Sequence, residues 1–158
     1  MIFNNINSIP AVTGFEALYG CQLCRDYPEL VDLDIMIYTD QQGNGWIKKL
    51  DNSNDTPYIS NHILNEIMRC EDAYNKCNFT MEEEYAILAH ELGHIVAGKR
   101  GEKSVNNLQE EINADQMAVS IGLVSQMMKA IQKMIDANLK PSNNAEMQQR
   151  IDALYTNH

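Results

Sequence analysis

The chain has 158 residues, 44% of them hydrophobic and 22% charged, a make-up that fits one globular domain able to bury a core. Its formal net charge of −10 repels phosphate backbones and anionic lipid, so no nucleic acid and no membrane surface is expected as a partner. No stretch approaches the roughly 20 apolar residues that span a bilayer, and Met1-Ile2-Phe3-Asn4-Asn5 lacks the basic start and apolar run of a secretory signal, so a cytoplasmic location is the simplest expectation.

Residues 1–13 are rich in Asn and aperiodic, and are expected to be a poorly ordered lead-in to a single domain spanning 1–158. Phe15, Leu18, Tyr19 and Leu23 then recur at helical spacing over residues 14–28. Val31, Leu33, Ile35 and Ile37 alternate with Asp32, Asp34, Met36 and Tyr38, which predicts a strand over 31–39. Gln41-Gln42-Gly43-Asn44-Gly45 reads as a tight turn, with Trp46–Leu50 returning as the antiparallel partner. A polar loop, 51–55, leads to a short third strand, Thr56–Ser60, whose Pro57 suits a sheet edge. Ile63, Leu64, Ile67, Met68 and Tyr74 predict a helix from Asn61 to about Cys77, with His62 at its start.

Thr80 and Glu83 form a T-x-x-E capping box before a strongly apolar periodic run. Tyr85, Leu88, Ala89, Leu92, Ile95 and Val96 supply the packing surface of that helix, and Gly98 and Gly101 suit its C-terminus. Asn107 with Glu110 marks the next helix start. That helix runs toward Asn138 with a break near Gly122, Pro141 stops it, and a last helix covers Ala145–Tyr155. Met127, Met128 and Met134 read as core filler.

Cys21 and Cys24 form one C-x-x-C pair without the second pair of a zinc ribbon. They, Cys70 and Cys77 are expected to be free thiols, which behave as small apolar side chains in a reducing compartment.

The chemistry is concentrated in His90-Glu91-Leu92-Gly93-His94. On a helix, His90 and His94 lie one turn apart on the same face, where both reach one zinc ion and Glu91 reaches its bound water. A catalytic zinc takes three protein ligands and keeps a fourth position open. The acidic candidates for the third are Glu102, Glu110, Glu111, Asp115, Asp136, Glu146 and Asp152. Glu111 and Asp115 stand out because they too are one turn apart on one helix face: the first is expected to bind the metal, the second to accept the outer N–H of a ligand histidine. Glu110 fits better as a first-turn charge complementing the helix dipole.

His90-Glu91-Leu92-Gly93-His94 followed by Glu111-Ile112-Asn113-Ala114-Asp115 resembles the gluzincin metallopeptidases, with H-E-x-x-H on one helix and E-x-x-x-D on a later one. The nearest likeness is to the CAAX-protease-like branch and its small relatives, the minigluzincins. ImmA/IrrE-type peptidases are a near neighbour but typically carry Asn where this chain has Asp115. Arg150-Ile151-Asp152-Ala153-Leu154 is similar to the R-I-x-x-L closing some CAAX-protease-like domains. The resemblance implies an α+β, zincin-like fold: a small antiparallel or mixed sheet packed on the active-site helix and a following glutamate helix. It implies a zinc metallopeptidase, an endopeptidase with a peptide or protein substrate, using His90, His94 and Glu111 as ligands, Glu91 as general base and Asp115 behind the ligands. The substrate is expected to lie along the Thr56–Ser60 edge. No downstream His or Tyr motif supplies an oxyanion stabiliser, and Arg150, Tyr155 and His158 are candidates by position alone. Two alternatives stand beside this reading: an ImmA/IrrE-like regulatory peptidase cleaving a repressor, and a latent or non-catalytic zinc-binding protein.

Overall fold

The computed structural model describes residues 2–40, 51–102 and 106–157. The expected turn at 41–45, the return strand at 46–50 and His158 lie outside them. Among the described residues the fold is α+β. In chain order the elements are β1 (Phe3–Asn5), α1 (Pro10–Asp26), β2 (Ile35–Thr39), β3 (Tyr58–Asn61), β4 (Glu66–Arg69), α2 (Glu71–Cys77), α3 (Met81–Lys99), α4 (Asn107–Ser120), α5 (Val124–Asp136) and α6 (Asn144–Asn157).

The four strands make one mixed sheet in the order β1-β2-β4-β3. β1 and β4 run parallel to β2, and β3 pairs antiparallel to β4 with Ser60 opposite Ile67. Successive side chains of a strand point to opposite faces. Ile35, Ile37 and Ile67 therefore enter the main core with the helices, while Tyr38 and Met68 join Cys70 and Ala73 in a smaller cluster. Both faces are covered, as parallel pairing usually requires.

Three sequence expectations are corrected here. The supposed loose lead-in supplies β1, with Ile2 and Phe3 buried. Its asparagines tie the chain down: Asn5 accepts from the Ile9 amide at 2.9 Å and donates to the Ile9 carbonyl at 2.9 Å, and Asn7 accepts from the Thr39 amide at 2.7 Å. Pro10 then starts α1, where its missing N–H costs nothing. The strand expected from Val31 begins only at Ile35, because Pro28–Leu30 coil into a 3-10 turn that leaves Val31 exposed. The helix expected over 61–77 is a β-hairpin followed by the short α2. Asn61 accepts from the amides of Ile63 and Leu64, Asn65 adopts a φ of 54°, and Glu66–Arg69 enters the sheet between β2 and β3. The apolar residues at 63, 64, 67 and 68 mimic a helical period, but Ile63 and Leu64 are 76% and 52% exposed. Pairing on both edges of β4 outweighs that local pattern.

The later half follows the sequence closely. Thr80 and Glu83 form the capping box of α3 reciprocally, at 3.2 and 2.9 Å. Asn106 caps α4 by accepting from the Gln109 amide at 2.8 Å, one residue earlier than expected. Gly122, at a φ of 80°, turns the chain between α4 and α5. Met127 and Met134 are buried. α3 is buried on almost every side, touching α1, β3, α4 and α5. No helix among the described residues is long and apolar enough to cross a membrane.

Candidate metal centre

The centre of α3 and the first turns of α4 are brought together by a glycine. A Cβ on Gly93 would lie 2.6 Å from the Ala114 carbonyl oxygen, so the two helix backbones approach as closely as only this residue permits. That approach sets His90, His94 and Glu111 face to face. His90 Nε2 lies 3.0 Å from Glu111 Oε2, His94 Nε2 lies 3.1 Å from Glu111 Oε1, and the two imidazole Nε2 atoms are 3.1 Å apart. Among the described residues these three form a group of ligand atoms that could hold a metal ion.

Behind this group stands a second layer. His90 Nδ1 lies 2.6 Å from Asp115 Oδ1, which fixes the ring with Nε2 facing the other two ligand atoms. Asp115 is in turn gripped by Arg150 of α6, from Nε to Oδ2 at 3.0 Å and from Nη2 to Oδ1 at 2.7 Å. Such a fork holds a carboxylate in both position and plane. Arg150 Nη1 also reaches to 3.7 Å of Glu111 Oε2.

The electrostatics follow from this crowding. Burial acts most strongly on His90 and favours the neutral ring, yet the Glu111 and Asp115 carboxylates together raise its pKa to about 10. Burial pushes Glu111 up, but His90 and His94 reverse this and hold it far below the usual carboxylate range. Asp115 is likewise lowered by Arg150 and His90 against its own burial. Two imidazoles and a carboxylate meeting at one point form a place that a proton or a metal ion could occupy.

Glu91 lines the same cleft, and burial raises its pKa despite His90, His94 and a side-chain hydrogen bond with Ser60. The cleft encloses about 640 Å³. Its floor is α3, and its walls are β3 with the hairpin turn on one side and α4 and α6 on the other. β3 runs in the same direction as α3: Tyr58 meets Glu84, Ser60 meets Glu91 and His62 lies over Gly98.

The sequence-predicted residues are thus sorted. His90, His94, Glu111 and Asp115 come together, with Glu91 beside them. Glu102, Glu110 and Glu146 line the cleft but lie outside the ligand group, and Asp136 and Asp152 do not line it. Of the positional candidates, Arg150 is part of the centre, whereas Tyr155 is 77% exposed and lines no part of the cleft. His62 is no helix start but a hairpin residue at the cleft mouth. The four cysteines are free thiols, with Cys70 and Cys77 buried around α2. Arg150 could be found in sequence only through its short tail motif; the hairpin that carries His62 had no signal of its own. Comparisons with protein-family models, curated proteins and solved structures return no match.

Proposed function

We propose that this chain is a zinc-dependent metallopeptidase of zincin-like fold, of the gluzincin kind. One observation carries the reading: His90, His94 and Glu111 converge on one point of a cleft whose wall also carries Glu91. The residues present suit zinc. Two imidazole nitrogens and one carboxylate oxygen are the ligand set of many catalytic zinc sites, and an imidazole backed by a carboxylate is their usual support. When bound, zinc would polarise a peptide carbonyl and lower the pKa of a water molecule.

The other roles belong to the chain. Asp115 holds the proton on His90 Nδ1, which keeps Nε2 a lone-pair ligand. Arg150 keeps Asp115 in place and offsets its charge. The Glu91 carboxylate takes a proton from the attacking water and returns it to the departing amine nitrogen. β3 is an edge strand of the sheet among the described residues and the one that lines the cleft, so an extended peptide could pair with it. A latent form unblocked by loss of its tail fits less well, because α6 supplies Arg150 to the centre itself.

The test compares wild type, Glu91→Gln and His94→Ala for metal content and cleavage of labelled casein. The expectation is one zinc per chain in wild type and Glu91→Gln, little in His94→Ala, and cleavage in wild type alone. Stoichiometric zinc without cleavage would leave a metal-binding protein, and zinc content unchanged in His94→Ala would overturn the site.

A further inference from the structure

We infer that His62 is a substrate-contacting residue, donating a hydrogen bond to a main-chain carbonyl of a peptide lying along β3; this rests on the peptidase reading. His62 occupies the hairpin turn after β3 and lines the mouth of the cleft. Two features set it apart from an ordinary exposed histidine.

The first is that its place is fixed. Asn61 accepts from the amides of Ile63 and Leu64 at 3.0 and 3.2 Å, which shapes the turn around His62. The ring then rests on the bare backbone of Gly98. A Cβ there would lie 2.1 Å from His62 Cγ and 2.3 Å from Cδ2, so no other residue at 98 allows this seat. The second feature is that, among the described residues, neither ring nitrogen of His62 has a hydrogen-bond partner. Arg150, a cleft residue with N–H groups at the centre, spends its fork on Asp115. His62 is thus a held, unspent donor.

Its place along the cleft says what it meets. Ser60 stands beside Glu91, and His62 follows two residues later. The His62 ring rests over Gly98, seven residues beyond Glu91 on α3, so at a helix rise of about 1.5 Å per residue it lies roughly 10 Å farther along the cleft. A peptide paired with β3 would place its scissile bond near Glu91 and a carbonyl about three residues away near His62. A contact that far from the bond holds substrate and transition state alike, and its loss raises KM while leaving kcat unchanged.

The experiment measures kcat and KM on labelled casein for wild type, His62→Ala, His62→Phe, His62→Gln and Gly98→Ala, with zinc content for each. The same His62 changes in a Glu91→Gln background are tested for equilibrium binding of a fluorescent casein peptide that wild type cleaves. We expect His62→Ala and His62→Phe to raise KM about five- to tenfold, the size of one lost hydrogen bond, with kcat and zinc unchanged. His62→Gln, which keeps a donor without the ring, should recover part of the loss. Gly98→Ala, which displaces the ring, should raise KM while leaving the helix intact. Peptide affinity should fall in the same order. If the ring merely packs on Gly98, His62→Phe would behave as wild type and His62→Gln as His62→Ala, and the inference fails. Wild-type KM and affinity in His62→Ala would also end it while leaving the peptidase reading intact. A wild-type chain that neither cleaves nor binds peptide would overturn the peptidase reading, and this inference with it.

Discussion

α3 carries two polar clusters, one buried and internally paired, the other half-buried beside the cleft. Near its N-terminus, Glu84 accepts from the phenols of Tyr58 and Tyr74 and from Arg69 Nε, the last two at 2.6 and 3.1 Å, and Arg69 also pairs with Glu71 at 2.5 Å. Burial first, and then Glu84, pushes the Tyr58 pKa well above that of a free phenol, so the hydroxyl stays a donor. Acceptor meets donor, and the cluster is closed in that its hydrogen bonds are made within it, although Arg69, Glu71, Tyr74 and Glu84 also line a cavity of about 650 Å³. Two turns on, the Nε2 atoms of His90 and His94 and the Glu111 carboxylate meet across about 3 Å, beside an open cleft. A polar network whose donors meet its acceptors locks a fold; one that gathers two imidazoles around a carboxylate could also hold a metal ion. On the peptidase proposal, the first cluster contributes stability and the second gives up some stability for chemistry.

The largest effect that sharpens this contrast is expected at Arg150. Arg150→Met breaks the buried Arg150–Asp115 pair and leaves Asp115 with His90 alone, at about 3–5 kcal/mol. Urea unfolding should show that loss, and zinc affinity should fall as well because His90 loses its support. Asp115→Leu in the same chain should restore much of the stability but none of the affinity. A stable Arg150→Met chain with normal zinc affinity would mean that the α6 contact is incidental.

The closed cluster should respond in the opposite sense. Glu84→Gln removes charge-assisted bonds from two phenols and Arg69, at about 1.5–3 kcal/mol. Zinc stoichiometry and casein cleavage of the folded fraction should not change. Coupled loss of metal would show that the two clusters form one network and would break the comparison.

The sequence legibility of these clusters differs for a physical reason. The ligand group together with Asp115 makes two i,i+4 pairs on two helices, so helical periodicity alone pairs His90 with His94 and Glu111 with Asp115. Thr80 and Glu83 mark where the first of those helices starts. The closed cluster joins β3, β4, α2 and α3, and no local spacing relates Tyr58, Arg69, Tyr74 and Glu84. The same limit hid β4, since Ile67 and Met68 sit at a helical spacing from Ile63 and Leu64 and only sheet pairing on both edges decides their state. It hid β1 too, because three residues rich in Asn carry too little pattern to announce a strand. Arg150 lies between these cases: its tail motif drew notice, but its role depends on α6 folding back onto α4.

The smallest expected effect lies between the two clusters in kind, at Glu83. Its carboxylate accepts from the Thr80 amide at 2.9 Å and from Lys133 Nζ at 2.5 Å, so it is both cap and ion pair. Burial pushes its pKa up, but Lys133 and the cap more than reverse this, and the net value lies below that of a free glutamate. The unfolded chain therefore binds this proton before the folded chain does. Its contribution is full above the unfolded pKa of about 4.3 and is lost as pH falls through the lower folded value. Glu83→Gln should cost about 1 kcal/mol at pH 7, the usual worth of a cap. Urea midpoints for wild type and variant should converge as the medium is taken below pH 4. A gap that stays constant down to pH 3 would mean that the charge contributes nothing and that the amide caps equally well. Zinc content measured at pH 7 should be the same in both chains, because this end of α3 stabilises the helix and leaves the ligand group untouched.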